Sequence, residues 1–290
     1  MKIDAKVQSI SKLKDYFFLV PDYQREYVWK PDDEVEQFSI DIDNEYSPDA
    51  KEQRNYFLGS IIIANNDRCF DVVDGQQRLT TIMLSLCVFR DLLKKETLNS
   101  AQKNYLQIIE NLLYNFDIES GETRVRLELQ YEESHDYLTA LIQEQPYNGV
   151  RSPSIVRMQD AYTKILRHFQ LYAGIDELID FAKYCLTKIE LVVIESQDLS
   201  SALKIFETIN QRGAGLNAMD LVKNLLFKAT KLLDSKFYIG VNTALNRFKN
   251  DFQYNFTGWN KSSVEARQKI LLELVFDTWR INDLRLDRVK

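Results

Sequence analysis

Val73-Asp74-Gly75-Gln76-Gln77-Arg78-Leu79-Thr80-Thr81 carries an apolar run into an amphipathic pattern through one tight, polar, glycine-containing corner. Upstream, Phe57-Leu58-Gly59-Ser60-Ile61-Ile62-Ile63-Ala64 and Cys69-Phe70-Asp71-Val72-Val73 read as two strands around the turn-forming Asn65-Asn66-Asp67. Downstream, Leu79, Ile82, Met83, Leu86, Phe89 and Leu93 recur at helical spacing. The corner is therefore placed where a strand hands over to a helix. The first amides of a helix have no internal partner and carry the positive end of its dipole, so anions favour such a place.

Part of the corner has a purely structural explanation. Asp74 followed three positions later by Gln77 fits a capping box, in which the carboxylate accepts from backbone amides and the glutamine reaches back. Capping does not explain Arg78, because a cation in the first turn faces the unfavourable end of the dipole. An anion between Arg78 and the free amides would reverse that penalty. Thr80 and Thr81 add hydroxyls near the same end, or simply pack there.

Outward from the corner, the chain has 290 residues, 45% hydrophobic and 28% charged, enough for a sizeable core in one large or two small domains. Only 9 Gly and 5 Pro leave little room for long linkers. No apolar run approaches the roughly 20 residues that span a bilayer, and the N-terminus lacks a signal-peptide core, so a cytoplasmic protein is expected. Cys69, Cys87 and Cys185 are widely spaced in apolar surroundings and read as reduced core residues without zinc spacing. A net charge of -6 counts against a protein that coats nucleic acid with a broad basic surface, though not against a local basic groove. His135 and His168 are the only histidines, and each sits in a helical pattern as a surface or packing residue.

Pattern and punctuation predict an α+β chain. A short helix is expected from Pro31, with Asp32, Asp33 and Glu34 in its first turn and Val35, Phe38 and Ile42 on one face. From about residue 100 helices are predicted at roughly 100–115, 133–144, 154–171 and 174–187, interrupted by the alternating Arg124-Val125-Arg126-Leu127-Glu128-Leu129, which has the period of a strand. Leu191-Val192-Val193-Ile194 is a further strand, followed by a helix over Ala202 to Ile209. The glycines of Asn210-Gln211-Arg212-Gly213-Ala214-Gly215 suggest a helix C-cap, with Asn217 capping the next helix and Asp220 in its first turn.

The run Val20-Pro21-Asp22-Tyr23-Gln24-Arg25-Glu26-Tyr27-Val28-Trp29 sets Arg25 among aromatic residues that could hold a guanidinium by stacking, or offer a ring to a nucleobase. The alternative is a strand end whose aromatics cover the core. Together with Phe57-Leu58-Gly59-Ser60-Ile61, the corner itself, Phe206-Glu207-Thr208-Ile209-Asn210, Arg212-Gly213, Leu216 and Asp220-Leu221-Val222-Lys223-Asn224, this run resembles the N-terminal domain of GmrSD-type modification-dependent restriction endonucleases. Four ordered blocks over residues 8 to 228 make the resemblance specific.

The resemblance implies a ParB/sulfiredoxin-like N-terminal core over residues 1–98 and a mainly α-helical extension over 99–290, with the segment around 189–228 packing back on the core. It implies binding, and hydrolysis with Mg2+, of a nucleoside triphosphate, controlling cleavage of modified phage DNA. Carried over, Gly75, Gln76, Gln77 and Arg78 match the phosphate-binding block, Asp74 its leading acid, and Gln24 and Arg25 the earlier glutamine-arginine block. Asp74, Arg78 and Arg25 are the expected catalytic residues. Asp74 either coordinates the metal and orients its water or only caps the helix. Thr80, Asn210 and Lys223, with Arg212, are expected to complete the nucleotide site, although Asn210 reads equally as a polar helix end.

Fused members of the family carry an HNH-type nuclease, whose chemistry needs a histidine, and none follows His168. The expectation is a separate nuclease subunit or a missing C-terminal nuclease domain. Two other readings stay open: a binding module for modified DNA or another anion without turnover, and a scaffold for a nuclease partner.

Overall fold

The computed structural model describes residues 3–22, 24–67, 69–118, 121–131, 135–172 and 174–210. The chain divides into two units, Met1–Ile209 and Asn210–Lys290, and the description below concerns the first. Its strands are β1 (Ile3–Ser9), β2 (Phe18–Val20), β3 (Tyr56–Asn66), β4 (Cys69–Asp74), β5 (Tyr114–Asp117), β6 (Glu122–Val125), β7 (Leu127–Leu129) and β8 (Ile189–Ser196). Its α-helices are α1 (Glu34–Glu45), α2 (Gln76–Leu93), α3 (Ser100–Leu113), α4 (His135–Ile142), α5 (Pro153–Phe169), α6 (Ile175–Lys188) and α7 (Leu199–Asn210). A short 3-10 helix spans Ile10–Asp15.

Six strands form one mixed sheet in the order β1-β8-β3-β4-β2-β7, and β5-β6 is a separate antiparallel pair. β3 and β4 are the expected hairpin, turning at Asp67, whose φ of 47° is the left-handed conformation that aspartate tolerates. β8 lies between β1, antiparallel to it, and β3, parallel to it. Period-two burial shows on this sheet: Ile61 and Ile63 on β3 and Leu191 and Val193 on β8 all enter the main core. The mixed sheet with its helices is the α+β class predicted.

α2, the element that follows the corner, packs against α3, α5 and α6. Leu79, Ile82, Met83, Leu86, Phe89 and Leu93 are buried as their spacing required, but so are Thr80, Thr81, Leu84, Ser85, Cys87, Val88 and Arg90. The helix is thus enclosed nearly all round rather than amphipathic. Its polar residues are satisfied locally: the Thr81 and Ser85 hydroxyls donate to the carbonyls of Gln77 and Thr81, each at 2.9 Å. Arg90, 1% exposed, donates from Nη1 to the Ile142 carbonyl at 2.5 Å and from Nη2 to Leu141 at 3.0 Å, at the negative end of α4. Its Nε reaches Asp91 Oδ1 at 2.8 Å.

Two expectations are corrected. The first helix starts at Glu34, not Pro31, because Glu34 Oε2 accepts the Lys30 N–H at 2.8 Å and Val35 N–H closes on the Lys30 carbonyl at 3.1 Å, leaving Pro31 to Asp33 in a turn. Val35, Phe38 and Ile42 are buried as expected. The alternating stretch 124–129 is two strands in two sheets, divided at Arg126. There the Arg126 N–H bonds the Leu113 carbonyl and its own carbonyl accepts from Phe18 N–H, both at 2.8 Å, so one residue bridges hairpin and main sheet. The Arg126 guanidinium lies 4.3 Å from the centre of the Phe17 ring, which lets this arginine be buried despite its place in the alternation.

Cys87 and Cys185 are buried free thiols and Cys69 is partly exposed. His168 packs in α5 with Nε2 2.8 Å from Asp43 Oδ2. Tyr27 is 1% exposed and Trp29 packs on Phe38, so these aromatics do cover the core. Tyr23, the predicted C-cap beyond Asn210, Asn217 and Asp220 lie outside the described residues.

Candidate functional site

β4 ends at Asp74 and α2 begins at Gln76, so Gly75 alone makes the corner. Its φ of 88° and ψ of 9° are left-handed, and it occupies the N-cap position with no side chain capping the helix. Glycine is required twice over: a Cβ here would sit 2.5 Å from Ile61 Cγ2 as well as in an unfavourable backbone region.

This geometry corrects the capping box. With Gly75 at the cap, Asp74 lies one residue too early to cap the helix. Gln77 reaches not back along the helix but across to the loop of residues 24–28. Its Oε1 accepts Val28 N–H at 2.8 Å and its Nε2 donates to the Glu26 carbonyl at 3.0 Å. Gly75 has no side chain with which to cap α2, so the first amides of the helix keep the positive end at which a helix can take an outside anion.

Arg78 stands at the third helical position. Its Nη1 donates to the Ser60 carbonyl at 2.7 Å. Gly59, with φ 128° beside a bulge in the β3 and β8 pairing, leaves the room it occupies: a Cβ on Gly59 would lie 2.9 Å from Arg78 Cζ. Burial lowers the Arg78 pKa below its ordinary value while the Asp74 charge opposes this. Arg25 is exposed, and it acts electrostatically on Asp74 together with Arg78.

The remaining predicted residues divide. Gln24 Nε2 donates to the Val73 carbonyl at 3.1 Å, placing it against the strand end. Gln76, 6% exposed, accepts from the Tyr131 hydroxyl at 3.0 Å. Thr80 is buried in α2 at 2% exposure. Asn210 is the last residue of α7, while Arg212 and Lys223 lie outside the described residues. Sequence reasoning passed over Gly59 as a site residue, although an isolated glycine inside a strand signals a bulge or a close approach. It also passed over Tyr131, for which no local signal exists.

Gly59→Ala keeps every charge but drives a methyl group into the Arg78 guanidinium. If the corner holds a triphosphate, the change weakens its binding roughly tenfold, the worth of one displaced charge-assisted hydrogen bond, in a calorimetric titration. Binding equal to that of the native chain would show that the guanidinium does not need its place under Ser60.

Burial, outweighing the Gly75 amide and the charges of Arg78 and Arg25, raises the Asp74 carboxyl above its ordinary 3.8. A raised carboxyl gives stability that is full below the unfolded value and lost as pH rises through the folded value. At pH 7 the ionised carboxylate is therefore a cost. Asp74→Asn is expected to shift the urea midpoint upward at pH 7, with the difference closing below pH 3.8. A lower midpoint at pH 7 would mean that the two guanidiniums outweigh desolvation.

The fold and its corner define an α+β protein with a cationic strand-to-helix site suited to an anion. The chain belongs to the family of the GmrSD restriction endonuclease N-terminal domain, which matches residues 7–227. This membership ties it to GmrSD-type restriction. Comparison with curated proteins found no match. Among the described residues no helix is long and apolar enough to cross a membrane, and no three His, Cys, Asp or Glu side chains gather as a metal site.

Proposed function

We propose that this chain is the nucleoside-triphosphate-binding and hydrolysing module of a GmrSD-like restriction system that acts in the cytoplasm on modified DNA, with cutting done by a nuclease partner or domain. The observation that carries the reading is the placing of Arg78, held by the Ser60 carbonyl, at the glycine-turned head of α2, with Arg25 on the loop that Gln24 and Gln77 fasten to the same corner. A triphosphate needs what this corner offers: backbone amides at a helix start, a fixed fork of guanidinium donors and a second, exposed cation. The strand-glycine-helix corner in a mixed sheet also supports a ParB-like core, and the place of β8 between β1 and β3 supports a core completed by later chain.

In this reading the amides of Gly75 to Gln77 and the Arg78 guanidinium hold the phosphates. Arg78 is preorganised by the Ser60 carbonyl, so its charge is aimed before the anion arrives. Arg25, exposed on its loop, neutralises charge that develops as the terminal phosphoryl passes to water. Gln76, oriented by Tyr131, and Gln24 line the same corner.

Mg2+ takes one or two protein carboxylates and leaves its other positions to phosphate oxygens and water. Asp74 fits as a single oxygen ligand of that kind, with the substrate supplying the rest. When bound, the ion would offset the charge of the phosphates. Asp74 itself is half-buried at the end of β4, next to the corner.

The test is release of inorganic phosphate from each of the four nucleoside triphosphates with Mg2+, with and without modified DNA. Release that needs Mg2+ and is lost in Arg25→Ala supports turnover. Binding without release would make the chain a nucleotide sensor, and neither binding nor release would sink the proposal.

A further inference from the structure

Residues 24–28 are fastened to the head of α2 by side chains instead of a strand ladder. Gln24 Nε2 holds the Val73 carbonyl at 3.1 Å, and Gln77 takes the Val28 N–H at 2.8 Å and the Glu26 carbonyl at 3.0 Å. The Tyr27 hydroxyl lies 2.9 Å from Thr81 Oγ1, which bonds the Gln77 carbonyl at 2.9 Å, and Tyr27 N–H donates to Ser154 Oγ at 3.1 Å. Arg25 falls between the Gln24 and Glu26 anchors and is itself exposed. Gln77 is 6% exposed, and both ends of its carboxamide are engaged by loop backbone about fifty residues away in sequence. A side chain committed in this way on both donor and acceptor is a clamp, since losing it takes the partner from a part-buried N–H and a part-buried carbonyl.

We propose that Gln77 is a positioning residue: it pins the Glu26 and Val28 backbone to α2 and so fixes where Arg25 stands relative to Arg78. The proposal rests on the triphosphate reading for the anion that Arg25 meets, whereas the clamp itself rests on geometry alone. The corner is then not a row of four equivalent phosphate ligands. Gly75 and Arg78 face the anion, and Gln77 faces away from it to set the second cation.

The full chain is tested with Gln77→Met, Arg25→Ala and the double variant, titrated with inorganic triphosphate and MgCl2, alongside backbone hydrogen exchange. Gln77→Met is expected to speed exchange at Glu26 to Val28 roughly tenfold. Triphosphate affinity should fall about tenfold, and the double variant should bind no more weakly than Arg25→Ala alone. If the two losses multiply, Gln77 contacts the anion itself and the proposal is overturned; unchanged exchange overturns it as well. Gln77→Glu keeps the acceptor for Val28 and serves if the methionine variant does not fold: exchange at Val28 should stay slow while Tyr27, whose amide follows Glu26, loosens. If native protein binds no triphosphate, the nucleotide reading falls. Faster exchange in the same variants would still uphold the clamp.

Discussion

Replacing Arg78 with alanine is expected to weaken triphosphate binding by roughly 100-fold or more while leaving the chain folded. Hydrogen bonds between charged partners contribute about 1.5–3 kcal/mol each, and a guanidinium fork on phosphate makes two, so the loss corresponds to at least about 3 kcal/mol. The structural loss is smaller. Arg78 makes one bond to the fold, Nη1 to the Ser60 carbonyl at 2.7 Å, and it is only half-buried. Removing it costs about 1–2 kcal/mol in stability, well within the usual 5–15 kcal/mol of a folded domain. Arg78→Lys should recover little, because the ammonium keeps the charge but not the planar fork. Calorimetry for affinity and urea unfolding for stability separate the two effects. An alanine variant that binds as the native chain does would remove Arg78 from the site.

Gly75→Ala is expected to be the most destabilising single change at the corner, by about 3 kcal/mol or more. A left-handed backbone costs an L-residue about 1–2 kcal/mol. The added methyl group also meets Ile61 Cγ2 at 2.5 Å, within a β3 segment where Ile61, Ile62 and Ile63 are all fully buried. Overpacking of that kind adds about 1–3 kcal/mol. Both costs fall on one residue because the chain turns from β4 into α2 without any other loop residue to share them. Urea unfolding gives the measurement. A loss under about 0.5 kcal/mol would mean that the turn does not hold this conformation in solution.

The corner was legible in the sequence because each of its signals is local. A strand run, a glycine and a 3.6-residue pattern lie within twenty residues, and they placed β4, Gly75 and α2 correctly. The helices from α3 to α7 and β8 were legible for the same reason: periodicity needs only neighbours. What escaped depends on distant partners. Asp74 and Gln77 fit a capping box by spacing, yet Gln77 found better partners in Glu26 and Val28, which no local pattern reveals. The strand signal at 124–129 was real, but its division at Arg126 is imposed by Phe18 and Leu113 from two other elements. Arg90 is buried because Leu141 and Ile142, about fifty residues on, present their carbonyls to it, and no local pattern shows that. Arg78 was singled out because its charge opposed the helix dipole, and the structure adds the Gly59 gap and the Ser60 carbonyl that hold it.

Arg25 and Arg78 come from segments about fifty residues apart, and the charges of both act on Asp74 at the glycine-turned head of α2. In the function proposed, binding of a triphosphate there is the step on which hydrolysis and restriction depend. Titrating the full chain in a calorimeter with each of the four nucleoside triphosphates and Mg2+ measures it directly. At least one should bind saturably at one site per chain, and the same titration should fail with Arg78→Ala. No saturable heat from any of the four, with the native chain shown to be folded, would contradict a nucleotide site at this corner.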